Sequence, residues 1–186
     1  MLYLQKPMAK DEKKYKEMIK EWQEYGGPYV PCIIDYDCNC PIEKLNYNAT
    51  IEFVENYSKG KLCDDDVDYF ERANFYFIFD DEELIGMGEV RHNLKPLGEN
   101  SIGHIACGIR PSKRKQGYAL QAVELMLEKL KEDNIEKAII CHYKENEVTP
   151  KIAESLGFTH SGNVTSTVTG KEICLHSKKY NINKEK

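Results

Sequence analysis

One tryptophan is all that the 186 residues contain, and no run comes near the roughly 18 consecutive apolar residues that a membrane-spanning helix needs. Positive charge is also short: 26 Lys and Arg stand against 31 Asp and Glu, leaving a net charge of -5. Sequence-independent nucleic-acid binding requires a basic face that displaces counterions, so this balance argues against that class. Met1 to Lys10 has neither the apolar stretch nor the cleavage-site pattern of a secretory leader, which makes the cytosol the expected compartment. The seven cysteines, at 32, 38, 40, 63, 107, 141 and 174, are an odd number and include no CxxC pair. Cys38-Asn39-Cys40 does not have the spacing of a structural zinc site, so reduced thiols and no metal are expected. With 41% apolar and 31% charged residues and no internal repeat, the chain reads as one soluble globular domain.

The positive charge that is present is concentrated in one run, Arg110-Pro111-Ser112-Lys113-Arg114-Lys115-Gln116-Gly117-Tyr118-Ala119. Before it, Ser101 to Ile109 alternates as a strand does; after it, Leu120, Val123, Leu127 and Leu130 recur at steps of three and four, the apolar face of a helix. A basic turn that opens a helix offers unpaired N–H groups and the positive end of the helix dipole, and Gly117 lets a ligand approach the backbone. Phosphate is the natural guest. The turn is neither a GxxxxGK[ST] loop nor a GxGxxG loop, so a different phosphate ligand is implied.

The turn resembles the signature of the GNAT superfamily of N-acetyltransferases, [RQ]-x-x-G-x-[GA], with Arg114 first, Gly117 fourth and Ala119 sixth. A second resemblance follows: the apolar stretch Ala138 to Cys141, then Asn146, then Ile152 to Phe158 closing on Gly157-Phe158. Gly103-His104-Ile105 and Ile109-Arg110-Pro111-Ser112 are similar to phrases of a bacterial-type branch, and the likeness is strongest over residues 72 to 180. It implies an α/β domain whose mixed, mostly antiparallel central sheet has splayed fourth and fifth strands and flanking helices, with acetyl-CoA as co-substrate. By that resemblance Cys107, Gly108 and Ile109 line the pantetheine and Arg114, Lys115, Gln116, Gly117, Tyr118 and Ala119 bind the pyrophosphate. Asn146 faces the pantetheine arm from the other side. Residues 1–72 then form the acceptor side, 73–160 the acetyl-CoA-binding core and 161–186 a closing hairpin and tail.

Patterning supplies the remaining elements. Leu2 to Leu4 reads as a first strand, Asp11 to Glu24 as a helix with Tyr15, Met18, Ile19 and Trp22 on one face, and Tyr29 to Cys40 as an irregular segment. Ile42 to Tyr57 reads as a second helix, and Asn74 to Phe79 with Leu84 to Arg91 as a hairpin. Asn93 to Asn100 reads as a polar connection, and Val164 to Val168 with Ile173 to Tyr180 as the closing hairpin, whose edge could pair with a second copy in a homodimer. A parallel strand pair is expected around the 117 to 132 crossover helix.

Acetyl transfer to an amine requires a base, because an ammonium has no lone pair. Glu89 and His104 are the candidates: a carboxylate in an otherwise apolar strand is costly unless paired or used, and a strand histidine is either a satisfied core residue or a functional one. Arg91 and His92 are expected to pair with the acidic loops. Many family members carry a tyrosine acid where this chain has Ala153; Tyr143 is the candidate substitute. The expected acceptor is an amine of a small molecule or peptide lying against Tyr29 to Asp68, where Asp64, Asp65, Asp66 and Asp68 are either a solvated loop or a patch that draws a cation. The alternative is a non-catalytic acyl-CoA-binding module.

Overall fold

The computed structural model describes residues 1–166 and 169–180. In chain order its elements are β1 (Leu2–Gln5), α1 (Glu12–Tyr25), α2 (Cys32–Cys38), α3 (Tyr47–Ser58), β2 (Arg72–Asp80), β3 (Glu83–His92), α4 (Pro96–Glu99), β4 (Ile105–Ile109), α5 (Tyr118–Glu132), β5 (Lys137–Tyr143), α6 (Thr149–Ser155), β6 (Thr159–Thr165) and β7 (Glu172–Lys179). Residues 167 and 168 of the expected hairpin, and the tail 181–186, lie outside the described residues.

Alternation along β2 sends Phe75, Phe77 and Phe79 to one side of the sheet and Tyr76 and Ile78 to the other. On the first side they meet Tyr15, Met18, Ile19 and Trp22 of α1, with residues of α2 and α3. On the second they meet Ala122, Val123, Met126, Leu127 and Leu130 of α5. The sheet is therefore a middle layer between two sets of helices. In β3 the register slips by one residue: Ile78 pairs with Gly86 but Phe79 with Leu84, leaving Ile85 as a bulge. That slip puts Leu84 and Met87 on the α1 side and Ile85 and Val90 on the α5 side, and Glu89 follows Met87.

Among the described residues every ladder is antiparallel, in two sheets ordered β1-β2-β3-β4 and β5-β7-β6. The expected parallel pair is not formed. The chain just before β4 meets β5 at the bridge between Gly103 and Ile140, and among the described residues β4 and β5 share no ladder beyond it, so their splay divides the sheet.

Three local expectations also change. α2 occupies the segment read as irregular: Ile33, Ile34, Asp37 and Cys38 recur at helical spacing and are buried, a pattern masked by the prolines and cysteines around them. The second expected helix begins late, because Ile42–Lys44 forms a 3-10 turn and Asn46 then caps α3 by accepting from the Ala49 N–H. β4 starts at Ile105 rather than Ser101, since Gly103 takes φ 66° and turns the chain.

Candidate active site

The turn before α5 is built from main-chain groups more than from charge. Lys115 at φ 62° and Gly117 at φ 83° curl the chain so that α5 opens at Tyr118. The amides of Lys115 through Leu120 donate to no acceptor among the described residues, and Gln116 and Gly117 are exposed. Consecutive free N–H groups at a helix start are an anion site. The basic side chains mostly serve another purpose. Arg110 pairs with Glu21 at 2.5 Å, Lys113 with Glu83 at 2.6 Å, and Arg114 donates from Nε to the Ile109 carbonyl at 2.9 Å while lying over the Tyr25 ring at 4.8 Å. Glu21 also accepts from the Ser112 N–H at 2.6 Å; burial works against its charge, but that N–H and Arg110 hold its carboxyl below the ordinary value. Tyr118 is occupied as well, donating to Asp80 at 2.7 Å. Glu21, Tyr25 and Glu83 thus brace the turn from α1 and β3, and no local sequence signal marked them.

The outer edge of β4 faces the gap. Arg91 N–H donates to the His104 carbonyl at 2.8 Å and Arg110 N–H to the Ile85 carbonyl at 2.9 Å, which sets the alternation along the strand. Ala106 and Gly108 direct their peptide groups to β3; Ile105, Cys107 and Ile109 direct theirs outward. The Cys107 side chain packs toward α5, and burial pushes its thiol up to about 12, leaving it a neutral packing group. On the opposite face Gly108 allows a close approach: a Cβ there would stand 1.8 Å from the Val30 carbonyl oxygen and 3.3 Å from the Trp22 ring. The segment between α1 and α2 is thereby seated directly on β4.

At the apex of the gap stands His104, 4% exposed. Its N–H donates to the Ile139 carbonyl at 2.8 Å, and its Nδ1 accepts from the Ile139 N–H at 3.0 Å. The ring is therefore neutral with its proton on Nε2, and burial holds its pKa down at about 4.

Glu89 lies on the α1 side, 1% exposed, and its two oxygens accept from Arg91 Nε and Nη2 at 2.9 and 2.7 Å. Arg91 also donates from Nη1 to the carbonyls of Ile102 and Gly103 at 3.2 and 3.3 Å, and lies 5.9 Å over Phe70. Burial raises the Glu89 pKa; Arg91 opposes the rise. The expectation that Arg91 and His92 pair with the acidic loops is corrected here. Arg91 is bound to its own strand neighbour, and His92 sits 2.7 Å from Asp133 at the end of α5. The exposed Cys32 of α2, the half-buried Cys141 of β5 and Asp66 all lie close enough to interact electrostatically with this pair. Asp66, from the acidic run, is fixed by Tyr57 and Cys63 at 2.5 and 3.1 Å.

The remaining candidates stand apart. Tyr143 is 42% exposed at the outer end of β5, with Lys171 over its ring at 5.4 Å, and it makes no contact with Glu89 or His104 among the described residues. Asn146 accepts at Oδ1 from the N–H groups of Val148 and Thr149, both at 3.0 Å, so its oxygen caps α6 and its NH2 stays available. Ala153 is fully buried against the α5 side. A histidine group went unnoticed in the sequence because its members are far apart there: His142 and His176 approach to 3.2 Å between Nε2 atoms, and His160 stands edge-on to His176.

Comparison with known proteins agrees with this geometry. A family model described as an acetyltransferase (GNAT) domain matches residues 42–159. No curated protein matches the chain in sequence. Among solved structures, RimL, a ribosomal L7/L12 alpha-N-protein acetyltransferase in complex with coenzyme A, is 14% identical with a TM-score of 0.68, covering 96% of this chain and 93% of its own. The microcin C7 self-immunity acetyltransferase MccE, in complex with acetyl-CoA and AMP, is 14% identical with a TM-score of 0.64, covering 96% and 92%. RimJ of Mycobacterium smegmatis, in complex with CoA-disulfide, is 11% identical with a TM-score of 0.68, covering 96% and 81%.

Proposed function

Because the chain belongs to the GNAT acetyltransferase family, we propose that it is an acetyl-CoA-dependent N-acetyltransferase that moves an acetyl group directly onto an amine of a small molecule or peptide. The observation that carries this reading is the run of free amides from Lys115 to Leu120 at the mouth of the gap beside β4. Those amides fit a pyrophosphate, and the outward peptide groups of Cys107 and Ile109 fit an extended pantetheine arm. Acetyl-CoA supplies the activated acyl group.

The residues of the chain have distinct tasks in this reading. The Cys107 N–H, aimed into the gap, is positioned to stabilise negative charge developing on an acyl oxygen. Glu89, made more basic by burial and held in orientation by Arg91, accepts the proton of the incoming amine from the α1 side. The seal of Val30 on Gly108 keeps water from that side. Neither Tyr143 nor Ala153 supplies an acid, so the departing thiolate takes its proton from solvent.

Residues 1–72 form the acceptor side, 73–160 the cofactor core and 161–186 the closing hairpin and tail. The alpha-N-protein acetyltransferases among the structural neighbours support a peptide or protein N-terminus within the acceptor class. No helix among the described residues is long and apolar enough to cross a membrane, and the free thiols support residence in the cytosol. The open edge of β6 supports a homodimer, which sedimentation would detect.

The test is a panel of amines, amino acids and peptides assayed for acetyl-CoA-dependent release of CoA, beside a direct titration of acetyl-CoA binding. At least one acceptor class should support release. Binding without release across the panel would replace the enzyme with an acyl-CoA-binding module, and absence of binding would remove both readings.

A further inference from the structure

His104 occupies an unusual position in the hydrogen-bond pattern. In a hydrogen-bonded antiparallel pair, one residue gives both its N–H and its C=O to the residue facing it. The His104 carbonyl is already engaged by the Arg91 N–H at 2.8 Å, inside the first sheet. Its N–H reaches the other way, to the Ile139 carbonyl at 2.8 Å. The acceptor that Ile139 N–H still requires is supplied by the imidazole, through Nδ1 at 3.0 Å.

One residue thus joins three strands, with its side chain replacing the missing carbonyl. Because Ile139 is satisfied at this single point, β4 need not continue beside β5. Gly103 makes the approach feasible, since a Cβ there would lie 2.7 Å from the Ile139 carbonyl oxygen. Arg91 holds the preceding loop by its bonds to the Ile102 and Gly103 carbonyls.

We propose that His104 is a positioning residue, whose imidazole acts as a surrogate backbone acceptor for Ile139 and so sets the opening between β4 and β5 in which the pantetheine arm lies. The role in cofactor placement rests on the acetyltransferase reading; the joint itself does not. This assignment removes His104 from the candidate bases, because Nδ1, its one ring nitrogen with a lone pair to offer, already accepts from the Ile139 N–H.

Two substitutions and one measurement on the unmodified protein test it. His104→Asn places an amide oxygen where Nδ1 stands and preserves the acceptor, whereas His104→Phe keeps a ring and removes it. Hydrogen exchange should show the Ile139 amide as protected in the Asn variant as in the unmodified protein. Its exchange should rise about tenfold or more in the Phe variant, the factor that about 1.4 kcal/mol of lost protection produces. The dissociation constant for acetyl-CoA should stay within about threefold in the Asn variant and weaken about tenfold in the Phe variant. The pH profile of turnover should keep its shape in the Asn variant.

Nitrogen-15 shifts of the unmodified protein should report the Nε2–H tautomer, a readout that survives even if the Phe variant fails to fold. Equal protection of Ile139 in the Phe variant, an Nδ1–H tautomer, or an Asn variant as impaired as Phe in acetyl-CoA binding would overturn the proposal. Loss of one limb of the pH profile in the Asn variant would instead make His104 the base. If the unmodified protein binds no acetyl-CoA, the functional reading fails while exchange and tautomer still decide the joint.

Discussion

Removing Glu89 tests whether the buried carboxylate is needed for turnover, for the fold, or for both. The Glu89 and Arg91 side chains are 1% and 10% exposed, so solvent screens their interaction little. Breaking a buried pair of this kind costs about 3–5 kcal/mol, mostly because the remaining charge is left uncompensated. Arg91 retains the Ile102 and Gly103 carbonyls, which places Glu89→Ala at the low end, near 3 kcal/mol. For a chain of this length each kcal/mol moves the melting temperature by roughly 2–4 °C, so a drop of roughly 6–12 °C is expected. Arg91→Met should be no milder: burial has already raised the Glu89 pKa and the carboxyl can take up a proton, but the Ile102 and Gly103 carbonyls lose their donor. The double variant Glu89→Leu with Arg91→Met should recover part of the stability, because an apolar pair of similar volume leaves no charge behind although the Ile102 and Gly103 carbonyls lose their donor. It should not recover turnover, which falls about 100-fold or more without a base. Denaturant titration can follow Trp22, the single tryptophan, which is fully buried, and CoA release reports turnover. A Glu89→Ala variant destabilised by less than about 1 kcal/mol would refute the energetic reasoning. A double variant that regains turnover along with stability would remove Glu89 as the base.

Further outcomes follow from the same geometry. Gly108→Ala, whose Cβ would meet the Val30 carbonyl oxygen at 1.8 Å, should cost about 1–3 kcal/mol, change the Trp22 emission and raise the acceptor KM more than that of acetyl-CoA. Lys115→Ala should weaken acetyl-CoA binding less than about threefold, because amides form the anion site. Gly117→Pro, which removes one amide and cannot hold φ 83°, should weaken it about tenfold or more; calorimetric titration distinguishes the two. In the folded protein His104 stays neutral down to about 4 rather than its ordinary 6.5, so between those values the unfolded chain binds a proton that the folded one does not. His104 therefore makes stability fall as pH drops through that window, by up to about 3 kcal/mol, and denaturation curves from pH 7 to 4 should have a smaller slope in His104→Asn.

Elements whose information is local were legible in the sequence. The apolar face of α5, the β2–β3 hairpin and the turn at Gly117 each depend on neighbouring residues, and each stands where patterning placed it. α2 was not legible, because prolines and cysteines obscured four buried residues at helical spacing, among them Asp37, whose carboxylate accepts from Tyr15 and Thr50 at 2.6 and 2.9 Å. Those partners come from α1 and α3, and no local pattern announces them. The basic run was legible as an anion site through its main chain, a helix start with a glycine beside it. What was not legible is that Arg110 and Lys113 are paired with Glu21 and Glu83 from distant elements, while the free amides remain.

The same distinction separates the two halves of the site. An anion cradle made from consecutive amides is encoded in a few adjacent positions, so a short pattern can find it. The buried polar group around Glu89 and Arg91 of β3 also gathers Cys32, Asp66 and Cys141 from three other segments, and strand parity assigns Glu89 to the α1 side only after the bulge at Ile85 is known. Without that bulge Glu89 would share a face with Ile85 and point toward α5, away from α1 and α2. A one-residue slip in β3 thus determines whether the buried carboxylate faces α1 and α2 or the α5 side of the sheet. The contact of Val30 with Gly108 then connects the halves, seating the segment after α1 on the strand whose far edge lines the gap. Substitutions in residues 26–31 should therefore alter acceptor choice while leaving the amides from Lys115 to Leu120 in place.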